Sequence, residues 1–260
     1  MIEVCCGSYK DGLRAYKGGA TRIELNSALY LGGLTPSVAS LKLLKRETTL
    51  TIICMVRPRG AGFTYDETEY KQMLLEAEDL LENGADGLAF GFLKSDATID
   101  VKRTREFVEL IHKYNRTAVF HRAFDCCDDL DHAMTQLVEL GIDRVLTSGG
   151  QPTAIDGADK IKSLQENYGK DIEILAGSGV NYNNASSLME HTGISQVHSS
   201  CKDYEEDPTT SGKSVTYSYY TGTHANDYES VDQENVEKLV SSLQNLSLIH
   251  ISEPTRRRGI

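Results

Sequence analysis

Basic residues are scarce in this sequence: 27 Lys and Arg stand against 38 Asp and Glu, for a formal net charge of −11. A surface of that sign does not recruit nucleic acid or an anionic membrane, since both need Lys and Arg against phosphate. Long apolar runs are missing too; no stretch reaches the roughly 18 consecutive apolar residues of a membrane span. Met1 leads at once into strand-like residues with no basic n-region or apolar h-region. The chain is therefore expected in the cytosol, with the nucleus as the other admissible compartment. Six cysteines (Cys5, Cys6, Cys54, Cys126, Cys127 and Cys201) are too few for a disulfide scaffold at this length, and none stands in a CxxC or zinc-type spacing. No Gly-x-Gly-x-x-Gly follows the first strand, where CCGSYKDG stands, which leaves a doubly wound open sheet as the weaker fold choice.

What is present is a regular alternation. Eight β-branched runs, IEVCC, RIELN, TLTIICMVR, GLAFGFL, RTAVFHRA, RVLTSGG, DIEILAGSG and QVHSS, are separated by amphipathic stretches such as YDETEYKQMLLEAEDLLENG and DLDHAMTQLVELG. Gly84 and Gly141 stand where those helices should be capped. With 260 residues, this pattern predicts a TIM-type (β/α)₈ barrel, parallel strands inside and helices outside, as one domain over residues 1–246. The polar stretch from Cys201 to Ser230 reads as a long loop at the barrel mouth, and an eighth helix is expected at about 231–245. Residues 247–260, with Arg256, Arg257 and Arg258, lack helical period and read as a non-native or disordered tail.

Side chains alternate along a strand, so parity separates barrel-facing from helix-facing positions. Ile2, Val4 and Cys6 take the helix-facing set, turning Glu3 and Cys5 inward; Ile23 and Leu25 do the same for Glu24 and Asn26. Met55 and Arg57 point in from the third strand, His121 from the fifth and His198 from the eighth. Cys54 falls in the helix-facing set, as packing. Two carboxylates, an arginine and two histidines are tolerated inside a barrel only if paired, because an unpaired buried charge costs several kcal/mol. A structural ion network is one account of them. Glu24, His121, Asp125 and His198 as a proton-transfer set is the other. The loops after strands seven and eight, where barrels often hold phosphate, carry Gly177, Gly179 and Ser199; with Arg57 and Arg59 they form a candidate anion site. Cys5, Cys126 and Cys201 are candidate soft metal ligands of the kind that suits monovalent copper.

The phrases IEVC, GGATRIEL, GGLTPS, FHRAFD, ELGIDRVLTSGG, GSGV and VHSS, met in this order over about residues 2–245, resemble the copper homeostasis protein CutC family. The resemblance implies a TIM barrel, a cytoplasmic protein that binds Cu(I), and self-association as a dimer or tetramer, with no settled reaction. It points to Glu3, Cys5, Glu24, Arg57, Arg59, His121, Asp125 and His198. Two positions depart from the family's pattern: Asn26 stands where a cysteine is common, and Ala61-Gly62-Phe63 lacks an acid. The expected function is copper homeostasis; the alternative is a barrel enzyme performing acid–base chemistry on a small anionic or phosphorylated metabolite.

Overall fold

A computed structural model describes the backbone of residues 1–252 and the side chains of residues 1–244. The predicted tail, 247–260, lies for its larger part outside the described residues. Eight parallel strands close into a barrel: β1 (Ile2–Cys6), β2 (Arg22–Leu25), β3 (Thr51–Met55), β4 (Gly87–Phe90), β5 (Thr117–Phe120), β6 (Arg144–Thr147), β7 (Glu173–Ala176) and β8 (Val197–Ser199). The expected TIM-type architecture is thus the observed one. Closure runs through the β1–β8 ladder, in which Ile2 faces Val197, Glu3 faces His198 and Val4 faces Ser199.

Between the strands lie α1 (Tyr9–Lys17), α2 (Val38–Glu47), α3 (Glu67–Glu82), α4 (Val101–Lys113), α5 (Leu130–Glu139), α6 (Ala158–Tyr168) and α7 (Ala185–Thr192). Helix α3 shows why these residues are helical. Asp66 and Glu69 form a capping box at its start, and Tyr70, Met73, Ala77, Leu80 and Leu81 recur on one buried face. Gly84 follows its end with a φ of +96°, a left-handed conformation that glycine adopts freely. The last helix, α8, begins at Gln233 and continues to Ser252, so it runs on past the expected end near 245.

Most of the core lies between sheet and helices, where Val4, Ile23, Leu25, Ile52, Leu88, Phe90 and Phe120 meet the helix faces. Phe107 of α4 packs its ring 4.8 Å from that of Phe92 and 5.0 Å from that of Phe90. The barrel interior is divided. Toward β3, β4 and β5 it holds the small apolar cluster Ile53, Met55, Ala89 and Val119. Toward β1, β2 and β8 it holds charge.

Cys201–Ser230 is not the plain loop expected from its polarity. Strands β9 (Lys202–Glu206) and β10 (Asp227–Val231) pair antiparallel as a separate ribbon. Polar cross-strand contacts hold it, including Lys202 Nζ to Glu229 at 3.1 Å, where an apolar alternation would have announced a strand. Its base is fastened to α1: Asp11 accepts from Ser230 Oγ at 2.8 Å and from the Val231 amide at 2.9 Å, and Arg14 pairs with Glu205. Among the described residues no helix is long and apolar enough to cross a membrane.

Candidate functional site

The inward charges form a connected network. Glu3, 1 % exposed, sits at its centre. One carboxylate oxygen lies 2.9 Å from His198 Nδ1, and the other lies 2.6 Å from Arg22 Nε and 4.0 Å from Arg144. Arg22 also donates to Gln196 at 2.6 Å, and Gln196 and Arg144 both reach Glu173. Arg22, Arg144, Glu173 and Gln196 were missed by the sequence reasoning, although the parity that placed Glu24 inward places Arg22 inward as well. Burial works against the Glu3 charge, but His198, Arg22 and Arg144 outweigh it and hold the carboxyl below its ordinary range.

Toward the mouth this network ends in Cys5, Glu24 and His198. One ligand atom from each of the three lies within 4.8 Å of the others. Cys5 and Glu24 are direct neighbours in the β1–β2 ladder, with the thiol 4.0 Å from Glu24 Oε1. Asn26 donates through Nδ2 to Glu24 Oε1 at 3.0 Å and lies 3.6 Å from Cys5 Sγ. Among the described residues, Glu24 Oε2 is buried with no hydrogen-bond partner. Burial raises the Glu24 carboxyl against the pull of His198 and Asn26. Burial also raises the Cys5 thiol, with His198 opposing. For His198 burial would expel the proton, yet the hydrogen bonds to Cys5 and Glu3 and the Glu24 charge prevail and hold it protonated well above its usual range.

Cys5 and His198 open onto a cleft of about 390 Å³ at the C-terminal mouth, walled by Ser178, Gly179, Ser199, Cys201, Arg122 and Lys202 among others. Gly177 does not line it, and a Cβ added there would come within 2.7 Å of Leu146 and 3.3 Å of His198. Cys201 therefore shares a cleft with Cys5, whereas Cys126 is exposed in the 3₁₀ turn after β5.

The remaining candidates lie elsewhere, and most of their hydrogen bonds are committed, although among the described residues the buried Arg57 Nε and His121 Nε2 have no partner. Arg57 donates to the carbonyls of Leu31, Gly33 and Ala61, which clasps two mouth loops together. Arg59 pairs with Glu69 and reaches the carbonyls of Gly60, Gly62 and Thr64. Asp125 accepts from Thr147 Oγ1, from the Ser148 and Gly150 amides and from Arg122, so it ties the FHRAFD turn to the loop after β6. His121 accepts from the Ala123 amide at Nδ1, and its ring lies 4.9 Å from that of Phe63. Burial, with the Arg57 charge, pushes its pKa down to about 3, so this ring is neutral. Of the four residues expected to move protons, Glu24 and His198 are brought together; His121 and Asp125 belong to neighbouring structures.

Known proteins place the chain. The sequence model of the CutC family matches residues 1–203. A CutC family protein of Treponema denticola is 45 % identical over 245 residues, 94 % of this chain and 98 % of its own length. The copper homeostasis protein cutC homolog of Drosophila melanogaster is 40 % identical over 205 residues, 78 % of this chain and 77 % of its own. The crystal structure of CutC from Streptococcus agalactiae superposes with a TM-score of 0.72 at 31 % identity, covering 77 % of this chain and 98 % of that one. With the closed barrel and these matches together, the chain belongs to the CutC family.

Proposed function

We propose that the protein acts in copper homeostasis by binding Cu(I) through the Cys5 thiolate and the His198 imidazole, with Glu24 beside them. The convergence of these three ligand atoms within 4.8 Å carries the proposal. A thiolate and an imidazole suit Cu(I), whereas a carboxylate is a hard donor that supplies mainly charge. Glu3 supports the assignment, because ligating histidines ordinarily have their second ring nitrogen fixed by a carboxylate or carbonyl. Cys201, on the same cleft, offers a second thiol for exchange as the ion enters or leaves. Six free thiols suit a reducing cytoplasm. Self-association, which the family resemblance implies, is supported by the exposed Tyr30, Leu31, Tyr217 and Tyr219. Anaerobic titration against a competing chelator should give one tight Cu(I) per chain, weakened about tenfold or more by Cys5→Ala or His198→Gln. Equal affinities in all three proteins would remove this pair as the site.

A second activity is favoured by one observation, the partnerless buried oxygen of Glu24 beside His198. A carboxyl raised by burial next to an imidazolium is an acid–base pair, of use in proton transfer on a small anionic metabolite. Glu24→Gln should abolish turnover of any such metabolite while Cu(I) binding persists; turnover that survives Glu24→Gln excludes this role.

A further inference from the structure

We propose that the mouth cleft contains a separate subsite for a tetrahedral oxyanion of the phosphate-monoester type, formed by the Ser178–Val180 turn with Arg122 and Lys202. This rests on neither Cu(I) binding nor turnover, and it would give the acid–base activity its substrate class.

The first argument is charge. In a chain with 38 acidic and 27 basic residues, the residues lining this cleft include Arg122 and Lys202 and not one Asp or Glu. A cleft of one sign with low-dielectric walls concentrates ions of the opposite sign. Its size, about 390 Å³, is that of a small-metabolite site.

The second argument is the backbone. Ser178 and Gly179 have φ of +80° and +72°; for a serine that conformation is strained and is retained only where the surroundings impose it. The turn's carbonyls are engaged: Ser178 O accepts from the Ala154 amide at 2.9 Å, and Gly179 O accepts from Asn184 Nδ2 at 2.9 Å and Asn181 Nδ2 at 3.3 Å. Ser178 Oγ is anchored on Pro152 O at 2.7 Å. Among the described residues, the amides of Ser178, Gly179 and Val180 donate to no protein acceptor. Three successive free N–H groups on a wall whose carbonyls are occupied make an anion-binding nest. Arg122 is braced by Asp125 at 2.8 Å and Ser148 at 2.8 Å through Nε and Nη2, which leaves Nη1. Among the described residues, the only carboxylate partner of Lys202, Glu229, lies outside the lining.

Inorganic phosphate is the probe, titrated at low ionic strength by calorimetry. Saturable binding at one site is expected, with sulfate competing and acetate not. Lys202→Glu and Arg122→Gln should each weaken it about tenfold or more, as expected for a lost charge-assisted hydrogen bond. Lys113→Glu, an equal charge change on the exposed face of α4, should leave it unchanged. Should Arg122→Gln fail to fold, Lys202→Glu and Lys202→Ala decide. The subsite is overturned if wild type shows no saturable binding, if Lys113→Glu weakens it as much as Lys202→Glu, or if acetate competes as well as sulfate. Cys5→Ala separates the two sites: it should lose Cu(I) and keep phosphate, so failure of either site is read without the other.

Discussion

Glu3 and His198 stand opposite each other in the ladder that closes the barrel, and the Glu3 carboxylate holds His198 Nδ1 at 2.9 Å. The same pair therefore seals the fold and fixes which ring nitrogen faces the mouth.

Removing the Glu3 carboxylate leaves Arg22, Arg144 and His198 buried around a vacancy in charge. Glu3→Ala should cost about 3–5 kcal/mol of stability, as breaking a buried ion pair does. Urea unfolding measures this. The milder Glu3→Gln should remain folded and still weaken Cu(I) binding about tenfold or more through loss of His198 orientation; unchanged Cu(I) affinity would detach Glu3 from the site.

Asn26 Nδ2 lies 3.6 Å from Cys5 Sγ. Asn26→Cys would set a second thiolate beside the first. Cu(I) affinity should rise by at least about tenfold, thiolate being the stronger soft donor. Chelator competition under anaerobic conditions decides it, and no gain would place the ion away from this edge of β2.

His121 titrates in the same sense as the Glu3 carboxyl, since both are held below their ordinary range, and in the opposite sense from Glu24. Its folded pKa, about 3, lies below the ordinary value of 6.5, so protons bind the unfolded chain more readily. The stability due to its neutrality is complete above pH 6.5 and is lost as the pH falls toward 3. In urea midpoints taken across this range, His121→Asn, whose Oδ1 can accept from the Ala123 amide, should show a shallower acid decline than wild type. Parallel declines would mean that other groups set the acid limit.

Two glycines near the mouth should differ sharply when replaced by alanine. At Gly33, φ is +86° and an added Cβ would stand 2.4 Å from Asn26 Oδ1. A Cβ added at Gly62 would meet nothing within 4 Å among the described residues. Thermal unfolding should show Gly33→Ala less stable by about 1–3 kcal/mol, and Gly62→Ala unchanged or slightly more stable.

The sequence disclosed the barrel because strand and helix periods alternate without interruption, and parity alone turned Glu3, Cys5, Glu24, Asn26 and His198 inward. It did not disclose where side chains of the mouth loops finish. Arg57 and Asp125 look free in one dimension, yet the backbone carbonyls and amides that engage them come from loops whose paths depend on the whole fold. The β9–β10 ribbon escaped notice because its strands are joined through polar pairs and have almost no buried face. Asn26 was visible as a departure, but its contact with both Cys5 and Glu24 was not.

The Glu3–His198 contact joins residues 195 positions apart. On a ribosome adding 5–20 residues each second, Glu3 would wait roughly ten to forty seconds for its partner. Through that interval β1 has an open edge, and the nascent chain must shelter an incomplete, charged sheet. The first strand made is therefore closed only by the last barrel strand made.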